Sequence, residues 1–189
     1  MNIFYCHGFA SAFDPDKPKI QRLSELGPVH GVDFDFTQPA ETVVERCMAA
    51  LLEHDIDLVV GTSLGGWLAN AAGSRAGLPF VAINPSIDPA KTLMRHVGKG
   101  VDHQGKPYEL EASAVLSYSP FRLAGCGLIL LDEGDDVLDS AQTASLCKPR
   151  FEVVSFPGGS HRFDHMEASL PLIDTFFHRA SLVYGLDDD

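Results

Sequence analysis

Ser63 stands in the pentapeptide Gly61-Thr62-Ser63-Leu64-Gly65, directly after the apolar run Ile56-Asp57-Leu58-Val59-Val60. Glycines on both sides leave room for a sharp strand-to-helix corner, on which a serine hydroxyl is exposed for nucleophilic attack. Such a hydroxyl is a weak nucleophile until a base takes its proton, and the base in turn needs an orienting acid. A histidine, His161, ends the glycine turn Gly158-Gly159-Ser160-His161 late in the chain. Between the two lies the acid-rich run Asp132-Glu133-Gly134-Asp135-Asp136-Val137-Leu138-Asp139. Nucleophile, acid and base in that chain order are the components of acyl transfer through a covalent intermediate.

The acid is read as Asp135, which follows a glycine and precedes Val137-Leu138, with Asp136 as the alternative. Asp135 lies 26 residues before His161, room for one helix and one strand. Asp132, Glu133 and Asp139 are read as loop charges or as the cap of the next helix. Acyl transfer also needs donors for the developing oxyanion. One is expected at the N–H of Leu64, where the helix after Ser63 begins. The other is assigned to the N–H of Phe9, in the loop Cys6-His7-Gly8-Phe9-Ala10-Ser11. His7 is read as a brace of that loop rather than a second base. Phe9, Phe13 and Phe163 flank the site as apolar contacts for substrate. Trp67 is assigned to the core, with a place in the pocket lining as the alternative. Asn84-Pro85 either shapes the acyl pocket or ends its strand. His165 follows His161 by four residues but has no companions at metal-ligand spacing, so a zinc site is not expected.

These residues need elements to hold them. Asn2–Cys6, Val29–Phe36, Ile56–Val60, Phe80–Ile83, Gly127–Leu131 and Phe151–Phe156 read as strands. Helical periodicity lies between several of them: Ile20, Leu23 and Leu26 mark one face, and Val43, Val44, Cys47, Met48, Leu51 and Leu52 a wider one. Leu64–Arg75 reads as the helix after the serine. A final helix is expected from near Glu167 to Tyr184, with Pro171 in its first turns. Alternation of strands and helices predicts a compact, mostly parallel sheet of about six strands with helices on both faces. In such sheets ligands bind beyond the carboxyl ends of the strands, and the candidate residues follow those ends. Residues 86–124 break the rhythm. No strand is read there, only helical pieces and loop signals at Gly98-Lys99-Gly100 and Gln104-Gly105-Lys106-Pro107. The segment is either a lid over the site or a helix and loops packed on the sheet.

The 189 residues fit one domain spanning 1–189. A formal charge of −12 argues against nucleic acid and against an anionic membrane surface as partners. Part of that charge is the tail Asp187-Asp188-Asp189, expected to be disordered. Cys6, Cys47, Cys126 and Cys147 form no C-x-x-C pair and are read as buried free thiols of a reducing compartment. No signal peptide and no membrane span is visible, so a cytoplasmic location is expected.

The chain resembles the small bacterial YqiA-like esterases, a compact branch of the α/β-hydrolase superfamily. The resemblance rests on the strand running into His7-Gly8-Phe9, the elbow Gly-Thr-Ser63-Leu-Gly-Gly, and Asn84-Pro85 after the next strand. Gly134-Asp135-Asp136-Val137-Leu138 and Gly159-Ser160-His161-Arg162-Phe163 complete it. It implies a sheet without the two N-terminal strands of larger hydrolases. It also implies hydrolysis of carboxylic esters or acyl thioesters with no metal or organic cofactor. The expectation is a serine hydrolase acting on a small-molecule acyl ester or thioester through Ser63, His161 and Asp135. An acyltransferase or peptidase could use the same groups, and a non-catalytic binding protein could keep the same fold.

Overall fold

A computed structural model describes residues 1–184, with the side chain of Tyr184 excepted. The acidic tail Asp187–Asp189 lies outside the described residues. The elements run in chain order as β1 (Ile3–Cys6), α1 (Pro18–Leu23), β2 (Val29–His30), α2 (Ala40–Leu52), β3 (Leu58–Thr62), α3 (Leu64–Ala76) and β4 (Phe80–Ile83). There follow α4 (Pro89–Met94), β5 (Gly98–Val101), β6 (Pro107–Leu110), α5 (Ala112–Val115), β7 (Gly127–Asp132), α6 (Ser140–Cys147), β8 (Glu152–Phe156) and α7 (Met166–Tyr184).

Six strands form one sheet in the order β2-β1-β3-β4-β7-β8, and every neighbouring pair is parallel. Both faces are covered, which explains why its strands read as continuous apolar runs rather than alternating ones. Alternate residues nevertheless serve different cores. Phe4, Cys6, Val59, Phe80, Ala82, Ile129 and Leu131 point to the face covered by α2, α3 and α6. Ile3, Tyr5, Leu58, Val60, Val81, Ile83, Leu128 and Leu130 point to the face covered by α1 and α7. The β3 strand is central and carries its pairing through Thr62, so the chain reaches Ser63 directly from the most enclosed part of the sheet.

Two expectations need correction. Only Val29–His30 of the expected strand Val29–Phe36 pairs with the sheet. Beyond it Phe34 and Phe36 are buried at alternate positions, a period of two that imitates a strand, but the N–H of Phe34 is donated to a side chain, His7 Nε2, at 2.8 Å. Within 86–124 an antiparallel hairpin, β5–β6, stands where no strand was expected. Its turn is closed by the Asp102 carboxylate, which accepts from Gln104 N–H at 2.9 Å and Lys106 N–H at 2.8 Å. Pro171 lies in the second turn of α7, within the first turns as expected, and the ladder loses one donor there. The four cysteines form no disulfide; Cys6, Cys47 and Cys147 are buried and Cys126 is half-buried. Among the described residues no helix is long and apolar enough to cross a membrane.

Candidate active site

The serine is held on a strained corner. Ser63 has φ 58° and ψ −122°, a backbone conformation that costs a non-glycine residue about 1–3 kcal/mol. The surroundings over-determine it: Ser63 N–H donates to Ile83 O at 2.9 Å, and Ser63 O accepts from Gly66 N–H at 2.9 Å and Ser86 N–H at 3.0 Å. The corner closes only because its glycines lack side chains. A Cβ on Gly61 would lie 1.9 Å from Gly65 O, and one on Gly65 would lie 2.1 Å from Cys6 O and 2.5 Å from His7 O. Ser63 is the N-cap of α3, yet its side chain caps nothing. Its Oγ lies 3.0 Å from His161 Nε2 instead.

His161 is fixed from its other nitrogen. Nδ1 lies 2.8 Å from Asp135 Oδ2 and 3.0 Å from Oδ1. A carboxylate can only accept, so the proton sits on Nδ1 and the Nε2 lone pair faces the Ser63 hydroxyl. Asp135 is almost fully enclosed, with 2 % of its side chain exposed. Burial alone would push its carboxyl up. The hydrogen bond from His161 and those from the N–H groups of Leu138 and Val137 outweigh burial and hold it below its ordinary value. The neighbouring Asp136 also touches residue 161, but through the backbone, accepting from His161 N–H at 3.3 Å. Between the two acids left open by the sequence, Asp135 reaches the imidazole.

The loop after β1 passes over the serine. A Cβ on Gly8 would stand 3.5 Å from Ser63 Cβ. His7 is buried at 2 % exposure and spans the loop: its Nε2 accepts from Phe34 N–H, so Nδ1 donates to Gly8 O at 2.8 Å. In the trans peptide between Gly8 and Phe9 the C=O and N–H point in opposite directions. Pulling Gly8 O toward His7 therefore turns the Phe9 N–H away from it. Among the described residues no group accepts from the N–H of Phe9 or of Leu64. The Phe9 ring packs against His96 at 5.0 Å and Tyr108 at 5.2 Å, and His103 N–H donates to Ala10 O. The unforeseen hairpin is thus seated on this loop.

Other expectations divide. Asp139 caps α6 by accepting from Gln142 N–H. Trp67 is core, packed on Tyr118 and donating to Ser119 O. Phe163 does not flank the site; it is buried against Phe156 on the α7 side. Asp132 is not a loop charge. It is the last residue of β7, wholly buried, and accepts from Ser160 N–H (3.2 Å), Asp164 N–H (2.7 Å) and His165 Nδ1 (2.7 Å). His161 and His165 accordingly face separate carboxylates. Among the described residues no three His, Cys, Asp or Glu side chains converge as a metal site. Lys19 was not foreseen. It approaches Thr62 Oγ1 at 3.4 Å, and burial pushes its ammonium down to about 8 against the opposing pull of Asp132 and Asp164. Only its place on α1 beside Ile20 hints at this in the sequence.

Two surface hollows lie elsewhere. One of about 430 Å³ includes His30 and His54; the other, of about 460 Å³, lies beside Trp67, Arg75 and Arg122. Neither includes Ser63, Asp135 or His161.

The uncharacterised protein family UPF0227 matches residues 2–178. The chain belongs to that family. A UPF0227 protein of Shewanella sp. (strain ANA-3), Shewana3_2292, is 29% identical over 182 residues, covering 92% of this chain and 98% of the relative. The family accords with the likeness to small bacterial YqiA-like proteins read from the motifs. Among solved structures, this UPF0227 chain is similar to Est1E from Butyrivibrio proteoclasticus (TM-score 0.73, 14% identity, covering 96% of this chain and 88% of that one). It is also similar to a monoacylglycerol lipase of Paleococcus ferrophilus (TM-score 0.70, 14% identity, 95% of each chain). These likenesses establish the α/β-hydrolase fold for this UPF0227 member, with a six-stranded parallel sheet.

Proposed function

We propose that the protein is a serine hydrolase cleaving carboxylic esters or acyl thioesters of small molecules. The observation that carries this reading is the unbroken line of hydrogen bonds from Ser63 Oγ through His161 to Asp135. In the reaction, Ser63 attacks the acyl carbonyl while His161 Nε2 takes its proton. The charge that develops on the carbonyl oxygen is met by the N–H groups of Phe9 and Leu64. His161 then passes the proton to the departing alcohol or thiol, leaving an acyl-serine, and activates a water that releases the acid. Asp135 keeps the imidazole in the tautomer with its lone pair toward serine and stabilises the imidazolium. Loss of one oxyanion donor from such a site costs roughly 3 kcal/mol of transition-state stabilisation.

Solved structures of similar fold include a protein described as a monoacylglycerol lipase, which fits ester chemistry. Under the same reading, residues 86–124 wall the site on the Phe9 side, since their hairpin packs on the Phe9 ring and bonds Ala10 O.

A fluorophosphonate probe tests the reading, applied to the parent protein, Ser63→Ala and His161→Ala, each shown to be folded. Labelling of the parent alone is expected, with ester or thioester turnover lost in both variants. A folded parent that stays unlabelled would favour a non-catalytic binding protein. Transfer of the acyl group to an added amine or alcohol in preference to water would point to an acyltransferase.

A further inference from the structure

Asn84 follows β4 in a strained conformation, φ 41°, and is 2 % exposed. A position of positive φ suits asparagine better than most residues. Its side-chain amide bridges three strand ends. Oδ1 accepts from Asp132 N–H at 2.9 Å, and Nδ2 donates to Ser160 O at 3.0 Å and lies 3.4 Å from His161 O. Asp132 completes the bridge. Its carbonyl accepts from Asp135 N–H at 3.1 Å, and its carboxylate gathers Ser160 N–H, Asp164 N–H and His165. The loop is wrapped so tightly on that carboxylate that a Cβ on Gly159 would lie 2.0 Å from Asp132 Oδ2. One residue, Asp132, therefore holds the backbone of both the acid loop and the base loop, and Asn84 ties it to the strand beside the serine.

We infer that Asn84 and Asp132 form the positioning unit of His161, fixing the distance of the imidazole from Ser63 without touching substrate. The inference rests on the role proposed for His161. The pairing of β7 with β8 brings the two loops side by side, and Glu133 N–H to Phe156 O and Gly134 N–H to Gly158 O carry it as far as Gly158. Beyond Gly158 the hydrogen bonds of Asn84 and Asp132 hold Ser160 and the backbone of His161, with polar groups that are buried and fully partnered.

The test uses Asn84→Gly, which accepts the positive φ without strain and removes only the amide. A second variant, Asn84→Asp, keeps the shape and an acceptor for Asp132 N–H but offers no amide N–H to Ser160 or His161. Turnover of p-nitrophenyl acetate is measured for each, alone and combined with His161→Ala. A fall in kcat of about 10²-fold with KM little changed is expected, since a misplacement of about 1 Å has that effect. In the His161→Ala background the same substitutions should cost almost nothing more. A kcat close to the parent's, or an equal loss with and without His161, would overturn the inference. Amide hydrogen exchange over 158–165 reads the clamp independently of chemistry: it should accelerate in Asn84→Gly while the rest of the sheet stays protected. A parent without Ser63-dependent turnover would refute the proposed function, and exchange would still decide the clamp. If neither variant folds, the amide holds the sheet rather than the base, and the inference falls.

Discussion

Gly65→Ala isolates how closely the serine corner and the loop after β1 are fitted. The added methyl would stand 2.1 Å from Cys6 O and 2.5 Å from His7 O, both backbone atoms that no rotamer change can remove. Reaching ordinary contact requires the end of β1 and the loop behind it to retreat by about 1 Å from α3. That movement separates the N–H of Phe9 from Ser63, so the reaction of the serine should slow by on the order of 10²-fold. Overpacking should cost about 1–3 kcal/mol, or a Tm lower by about 2–12 °C at this chain length. The matching control is Gly77→Ala, at the C-cap of α3, where no atom lies within 4 Å but φ is 73°. It carries only the left-handed penalty of roughly 1–2 kcal/mol and should leave reactivity intact. The assay is the rate of fluorophosphonate labelling followed by intact mass, beside calorimetric Tm. Gly65→Ala labelled at the parent rate would refute the close fit.

Other outcomes follow from the same geometry. Ser63→Gly should abolish labelling yet raise stability by about 1 kcal/mol, because the strained φ and ψ suit glycine; a lower Tm by thermal denaturation would contradict the strain. Asp135→Asn should slow acylation by roughly 10⁴-fold, since an amide can present its N–H to His161 and favour the wrong tautomer. The Asp135 carboxyl is held below its ordinary value of 3.8, so its stabilisation is present above that pH and lost as pH falls through the lower folded value. Stability of Asp135→Asn measured by urea titration should therefore vary less with pH below about 4. Burial pushes His7 below its ordinary 6.5, and protonation of Nε2 would oppose the Phe34 N–H it accepts. The unfolded chain then binds the proton first as pH drops below 6.5, and stability declines from there down to the folded value. His7→Gln should remove that part of the decline, read from denaturation midpoints across pH 5–7.

Legibility in the sequence followed how local each determinant is. The central strands and α3 could be read because fully covered parallel strands are short continuous apolar runs, and the corner at Ser63 needs glycine at 61 and 65. The hairpin could not be read from β propensity. Its strands are Gly-Lys-Gly-Val and Pro-Tyr-Glu-Leu, with a glycine at 100 because the Tyr108 ring lies over it. Asp102 and Gly105 were its one local signal. Asp132 was hidden differently. It stands in a crowd of acids, and only the strand end decides that this carboxylate points inward while the next residue, Glu133, stays exposed. Separating Asp135 from Asp136 likewise needed the third dimension, since both bond residue 161 and only one reaches its ring.

Ser63 and His161 are 98 residues apart, one at the end of a central strand and the other beyond an edge one. During synthesis the whole serine corner emerges long before His161, and β8 has only β7 to pair with. A nascent chain can therefore assemble most of its sheet while carrying an inert serine. Under the proposed function, closure of the last strand is what arms it, so a partly made or unravelled chain does not present an activated serine to the esters around it.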